Sequence, residues 1–254
     1  MGGAMFAGWA AQGLAPSMLV DPQPAPGIAR PQDAVVGDLS AVPADFAPAA
    51  VILAVKPQMA DPVLAALSAV LRHDTVVVSI MAGRRADGLR AAIGGDAAVV
   101  RAMPNTPAAI GQGMTVAFAG PGVSQQQRDL SDRLLAAVGQ VAWIEDEDLM
   151  DPVTAVSGSG PAYVFLLAEL LERAGIAAGL PADLARQLAR QTVSGAGALL
   201  ASSDEDAAAL RRAVTSPRGT TEQALAVLMA DDAWPASLTK AVAAGMRRSR
   251  ELAS

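Results

Sequence analysis

The chain has 254 residues, 52% hydrophobic but only 3% aromatic, with no cysteine and a formal net charge of −6. This length supports one large or two modest cores, and the lack of cysteine excludes a disulfide framework, a thiolate metal site and a cysteine nucleophile. The acidic balance argues against a nucleic-acid partner, every apolar stretch is broken by charge, Gly or Pro before the roughly 20 residues of a membrane span, and Met1–Ala10 lacks a secretory leader pattern, so a cytoplasmic protein with no membrane partner is expected.

In chain order, Gly3–Gly13 reads as a helix, followed by a β-type run at Ser17–Asp21 and a Pro-rich surface loop, Pro22–Pro31. Further β runs occupy Ala50–Val55, Thr75–Ile80, Ala98–Met103, Met114–Ala119 and Gln140–Ile144, with helices at Met59–Leu71 and Ser124–Val138. Such alternation describes a doubly wound α/β domain, while the directions of its later strands are not settled by the sequence. Past Glu145-Asp-Glu-Asp148 the strand signal stops. Helices are predicted over Asp151–Ala174, Pro181–Ala201, Asp204–Val214, Thr220–Met229 and Trp234–Leu252, with Pro181 and Pro235 near starts, where a missing N–H costs nothing. The predicted division is an α/β domain over 1–147 and an all-helical domain over 148–254. The Ala- and Gly-rich face at Ser194–Ala198 admits close helix approach, and a helical half so poor in aromatics gains by pairing with a second copy.

Chemistry concentrates at Val214-Thr-Ser-Pro-Arg-Gly-Thr-Thr-Glu222. Pro217 and Gly219 impose a tight turn, Thr220 and Thr221 stand where a helix begins, and Glu222 opens its first turn. Backbone N–H groups and a hydroxyl then converge, which suits a small anion with a polar reacting centre; a plain capped helix start is the bland alternative. The single histidine, His73, lies in a polar Arg-His-Asp loop and reads as solvated. No histidine is therefore available to activate the serines of Ser157-Gly-Ser-Gly-Pro-Ala162, and no His or carboxylate cluster has metal-ligand spacing.

Five ordered segments carry a resemblance: Ala54-Val-Lys-Pro-Gln58, Arg101-Ala-Met-Pro-Asn-Thr-Pro107, Gly111-Gln-Gly-Met114, Val156-Ser-Gly-Ser-Gly-Pro-Ala-Tyr163 and the Ser-Pro-Arg-Gly-Thr-Thr turn. Together they resemble the pyrroline-5-carboxylate reductases, with Arg218 replacing the first of that family's two turn glycines. The resemblance implies a Rossmann-type NAD(P)-binding domain followed by a helical dimerisation domain, and reduction of 1-pyrroline-5-carboxylate to proline by hydride from NADPH or NADH. It also implies a homo-oligomer, at least a dimer through the helical domain.

On this alignment Gly2 is the third glycine of the Gly-x-Gly-x-x-Gly fingerprint, so the first strand and first two glycines are absent and the sequence begins at an internal methionine of a longer frame. The loss should leave two strands without their shared neighbour and weaken coenzyme binding. Asp21 lies about 20 positions beyond Gly2, where an acid hydrogen-bonds the ribose 2′-hydroxyl of NAD; it is equally a turn former before Pro22, and Arg30 is a candidate to swing toward a 2′-phosphate. Lys56 ends the strongest β run, where open α/β sheets bind ligands. It contacts the nicotinamide ribose or stabilises its loop, while Ala54, Val55 and Pro57 line that ribose. Met81, Ala82 and Gly83, after Ser79, are expected to face the coenzyme, and Asn105, with Thr106, to form a rigid pocket wall between Pro104 and Pro107.

For the substrate, Thr221 is assigned as the hydroxyl on the ring nitrogen, with the backbone of Gly219 and Thr220 and nearby Ser216 on the carboxylate. Two other readings compete: a non-catalytic dimerisation or regulatory descendant, and a two-domain reductase of the 3-hydroxyacid dehydrogenase type. The latter typically carries a lysine on its interdomain helix, whereas Asp151–Ala174 has none.

Overall fold

Residues 1–253 are described by a computed structural model. Strand β1 (Met18–Val20) pairs in parallel with β2 (Ala34–Val36). A separate five-stranded sheet runs in the order β3 (Ala50–Leu53), β4 (Val76–Ser79), β5 (Ala98–Met103), β6 (Gly113–Ala119) and β7 (Gly139–Ile144). Its pairs are parallel except β5 with β6, where Arg101 stands opposite Phe118. The chain between Met103 and Gly113 is too short for the crossover that parallel neighbours need, so the direction reverses there.

Both faces of the sheet are covered, which is why β4 reads Val-Val-Val-Ser without an exposed residue. Alternate side chains go to opposite faces. Val76, Val78, Val100 and Ala102 meet Met5, Phe6 and Trp9 of α1 (Gly2–Ala11) and Leu135 of α4 (Gln125–Ala136). Val77 and Val99 meet Leu64 and Leu67 of α2 (Ala60–Leu67) and Leu89 and Ile93 of α3 (Ala86–Ile93). β1 and β3 are not paired with one another. Helix α1 spans that division, because Leu19 of β1 and Ala50 and Ile52 of β3 pack on the same cluster as Met5, Phe6 and Trp9.

Two elements have no counterpart in the sequence reading. β2 is three residues long and follows a Pro-rich loop, too short for alternation to register. α3 holds Gly88 and ends at Gly94-Gly95, so its turn formers conceal an amphipathic octet. The expected helix Asp151–Ala174 is divided: α5 (Met150–Val153) opens into a wide π turn at Thr154–Gly158 before α6 (Gly160–Ala177). Pro161 lacks the N–H that would bond back into the preceding turn, and the glycines on either side of Ser159 tolerate the altered backbone.

By internal contacts the chain forms two units, Met1–Gly158 together with the C-terminal residues from Gly245, and Ser159–Ala244. The second contains the hairpin of α6 and α7 (Ala182–Ser202), then α8 (Ala207–Ala213), α9 (Thr220–Leu228) and the start of α10 (Trp234–Ala253). Gly175 permits the hairpin's closeness, because a Cβ there would lie 3.3 Å from that of Ala185. Within the helical run Glu147–Ala177 one 18-residue window has a mean hydropathy of 1.3, so by length and composition alone this run qualifies as long and apolar enough to cross a membrane. This corrects the expectation that no segment qualifies: the Gly and Pro residues that punctuate the run are outweighed by Val164, Phe165, Leu166, Leu167, Leu170 and Leu171.

Candidate functional site

The residues singled out in the sequence fall into two sets, one in each unit.

In the first unit, Gly2 opens α1, and a Cβ on it would lie 2.8 Å from the Cβ of Ala54 just beyond β3. Only glycine allows that approach, which is the packing role of a third fingerprint glycine. No side chain caps α1, which leaves the N–H groups of its first turn without a side-chain acceptor among the described residues. Asp21 follows β1 directly; its N–H donates to the Val36 carbonyl (3.0 Å), and its exposed carboxylate accepts the Gln23 N–H (2.8 Å). It therefore shapes the turn and keeps an outward carboxylate.

Arg30 is bonded back onto its own loop and the connection that follows α1. Its Nε and Nη2 donate to the two oxygens of Asp33 (2.8 and 2.7 Å), Nη1 to the Leu14 carbonyl (2.7 Å) and Nη2 to that of Ala15 (3.0 Å). The guanidinium also stands 5.5 Å from the centroid of the Phe6 ring. These bonds hold the Asp33 carboxyl far below the usual carboxylate range, chiefly through the hydrogen bond from Arg30, and raise Arg30 in turn.

Lys56 is exposed after β3, precedes a single 3-10 turn (Pro57–Met59), and makes no side-chain bond among the described residues. Ala54 is exposed beside it, whereas Val55 packs on the cluster beneath α2 and α3. The next loop is partly committed to the fold. Met81, 2% exposed, points into that same cluster. Gly83 (φ 75°) lies under the last turn of α10, where a Cβ would come 2.7 Å from the Leu252 carbonyl oxygen. Ala82 is half-buried against Met103, Val116 and Met150, so the expectation that all three face a ligand narrows to the open side of Ala82 and the loop backbone. Asn105 is likewise engaged: Oδ1 accepts the Met114 N–H (2.9 Å), and Nδ2 donates to the carbonyl (3.3 Å) and hydroxyl (3.4 Å) of Ser157. It braces the wall that Pro104 and Pro107 delimit.

One group escaped the sequence reading. Arg101, 2% exposed, donates through Nη1 to Glu147 Oε1 (3.0 Å), and the same oxygen accepts the Ala86 N–H (2.9 Å) at the start of α3. Arg85 bridges from the rim to Asp148 (2.7 Å) and Glu147 (3.5 Å), and both acids raise the Arg85 guanidinium. The only local hint was an arginine inside the apolar run Ala98–Met103.

In the second unit, Ser216 to Gly219 form a turn closed by the Gly219 N–H on the Ser216 carbonyl (3.0 Å). Arg218 has φ 59°, the one non-glycine residue in the left-handed region among those described, where such a turn ordinarily places Gly or Asn. Its N–H donates to Glu222 Oε2 (2.7 Å) from the first turn of α9, which locks loop to helix. A Cβ on Gly219 would come 3.0 Å from both the carbonyl oxygen and the Oγ of Ser216. Gly219 is the N-cap of α9, and no side chain caps it. Thr220 and Thr221 are thus not capping residues. With Ser216 they leave three hydroxyls without partners among the described residues beside open N–H groups, an array that can grip a carboxylate and a ring nitrogen together.

Two family profiles match the chain: one described as pyrroline-5-carboxylate reductase dimerisation, over residues 147–252, and one described as NADP oxidoreductase coenzyme F420-dependent, over residues 1–83. The pyrroline-5-carboxylate reductase of Pseudomonas aeruginosa is 44% identical across 80% of this chain and 74% of its own length. Among solved structures, the pyrroline-5-carboxylate reductase of Coxiella burnetii superposes with a TM-score of 0.90 at 32% identity, covering 99% of this chain and 94% of that one. The pyrroline carboxylate reductase of Plasmodium falciparum with NADP bound gives 0.85 at 26% identity, covering 100% and 95%.

Proposed function

Because the chain belongs to the pyrroline-5-carboxylate reductase family, we propose that it reduces the ring imine of 1-pyrroline-5-carboxylate to L-proline with NADPH or NADH, the last step of proline biosynthesis. The observation that carries this is the turn before α9, where Ser216, Thr220 and Thr221 present hydroxyls that no group among the described residues uses. A protonated cyclic imine is already electrophilic, so the protein's task is orientation. When bound, the reduced nicotinamide supplies the hydride to the imine carbon.

Thr221 holds the ring nitrogen through its hydroxyl, and the Gly219 and Thr220 backbone with Ser216 binds the carboxylate against the positive end of α9. The residues of the first unit fit a dinucleotide: a glycine-tight helix start at Gly2, an outward acid at Asp21, and Ala54, Lys56, Pro57 and Ala82 on loops that follow parallel strands. Asn105 keeps the adjoining wall rigid. Residues 1–147 bind the coenzyme and 148–254 the substrate. The chain is a homo-oligomer whose copies pair through the helical segment, in the cytoplasm.

The decisive assay follows loss of reduced-nicotinamide absorbance with 1-pyrroline-5-carboxylate and quantifies the proline formed. Stoichiometric proline is expected; coenzyme binding with no proline would remove the reading.

A further inference from the structure

The reaction above leaves the coenzyme unspecified, and the C-terminal end of the β1–β2 pair discriminates between the two forms. The adenosine 2′ position of a dinucleotide lies beside the acid that follows the second strand of this fold, and here that acid is Asp21, exposed and directly after β1. An acid in that place accepts a hydrogen bond from a 2′-hydroxyl and repels a 2′-phosphate, which calls for a guanidinium or ammonium instead. Residues 1–55 contain a single basic residue, Arg30, against four aspartates, Asp21, Asp33, Asp38 and Asp45.

That one cation is already spent. Its bonds to Asp33, Leu14 and Ala15 occupy all three guanidinium nitrogens. The Asp33 side chain has no exposed surface and also accepts the N–H groups of Ser17 (3.0 Å) and Arg30 (2.9 Å). Turning Arg30 outward would strand a buried anion. Asp38, two residues beyond β2 at the same end of the strand pair, adds a second carboxylate, which the Ser40 N–H and hydroxyl keep ionised.

We infer that this chain favours NADH over NADPH, with Asp21 as the selecting residue and Arg30 withheld from the 2′ position by Asp33. The inference rests on the reductase reading, and its test separates the two. Calorimetric titration of the full chain with NADH and with NADPH is compared with kcat/KM for each in 1-pyrroline-5-carboxylate reduction. NADH is expected to bind at least about 10-fold more tightly, a difference of 1.4 kcal/mol, and to show the same ratio in kcat/KM. Asp21→Asn removes one exposed charge, so its fold is not at risk, and thermal melting checks this. In that variant the ratio should fall to within about threefold. Equal or tighter NADPH binding by the wild type, or a ratio that Asp21→Asn leaves unmoved, would overturn the preference. The expected binding ratio without proline formation would support the preference and overturn the reductase reading.

Discussion

Thr221 is the residue whose role can be tested most directly, because its hydroxyl bonds to no group among the described residues. On the proposed role, Thr221→Ala would remove one hydrogen bond to the ring nitrogen, a loss of about 1–3 kcal/mol for a polar partner left unpaired. The expected result is kcat/KM for the imine lowered about 10- to 100-fold with the coenzyme dissociation constant unchanged; an unaffected kcat/KM would discharge Thr221 from the site. Arg218 makes a separate prediction about stability. An L-residue in the left-handed region costs about 1–2 kcal/mol, and glycine gives back about 0.5–1 kcal/mol through its greater freedom when unfolded. Urea denaturation should therefore find Arg218→Gly more stable than Arg218→Ala by about 0.5–1 kcal/mol. Equal stabilities would mean that the turn relaxes out of φ 59°.

At the level of elements, β5 and the segment after β7 are joined by a buried ion pair. Removing Glu147 leaves Arg101 charged and unpaired beneath the sheet, at a cost of about 3–5 kcal/mol. It also takes the acceptor from the Ala86 N–H that starts α3. Glu147→Ala should lower the urea midpoint accordingly, while Arg101→Met with Glu147→Leu recovers the part due to the stranded Arg101, since a matched apolar pair needs no desolvation, but leaves the Ala86 N–H without its acceptor at a cost of about 1–3 kcal/mol. A double variant no better than Glu147→Ala would show that the pair contributes more than mutual neutralisation. The strands and long helices were legible beforehand because Val76–Val78 is a continuous apolar run, Ala98–Met103 is apolar but for Arg101, and α4 has a Ser124–Gln127 capping box. β2 and α3 were not, because three residues set no period and Gly88 hides the apolar face of its octet.

On the scale of the whole molecule, the helical unit keeps little of its apolar surface from water within one chain: among α6 and α7 only Ala185 and Ala189 are buried. Phe165, 66% exposed, lies with Leu166, Leu170 and Leu171 along α6, and Leu199 and Leu200 are open on α7. A face of this kind is what pairing of copies covers. Phe165→Glu combined with Leu199→Glu should convert the oligomer to monomer in sedimentation equilibrium, because two carboxylates cannot be buried unpaired at an apolar contact. An oligomer of undiminished mass would place the interface elsewhere on the chain.

Order and type of most elements, the change of grammar after residue 148 and the turn before α9 could be read from the linear chain, since periodicity, proline and glycine act over a few neighbours. Partnerships could not. That Arg30 is tied to Asp33 and two carbonyls, that Met81 turns inward while Gly83 lies under Leu252, and that Arg101 finds Glu147 46 positions away are outcomes of packing. Local pattern sets where a side chain stands along its element, but a buried charge or a crowded glycine is satisfied by whatever the fold brings beside it, and only the assembled core determines that.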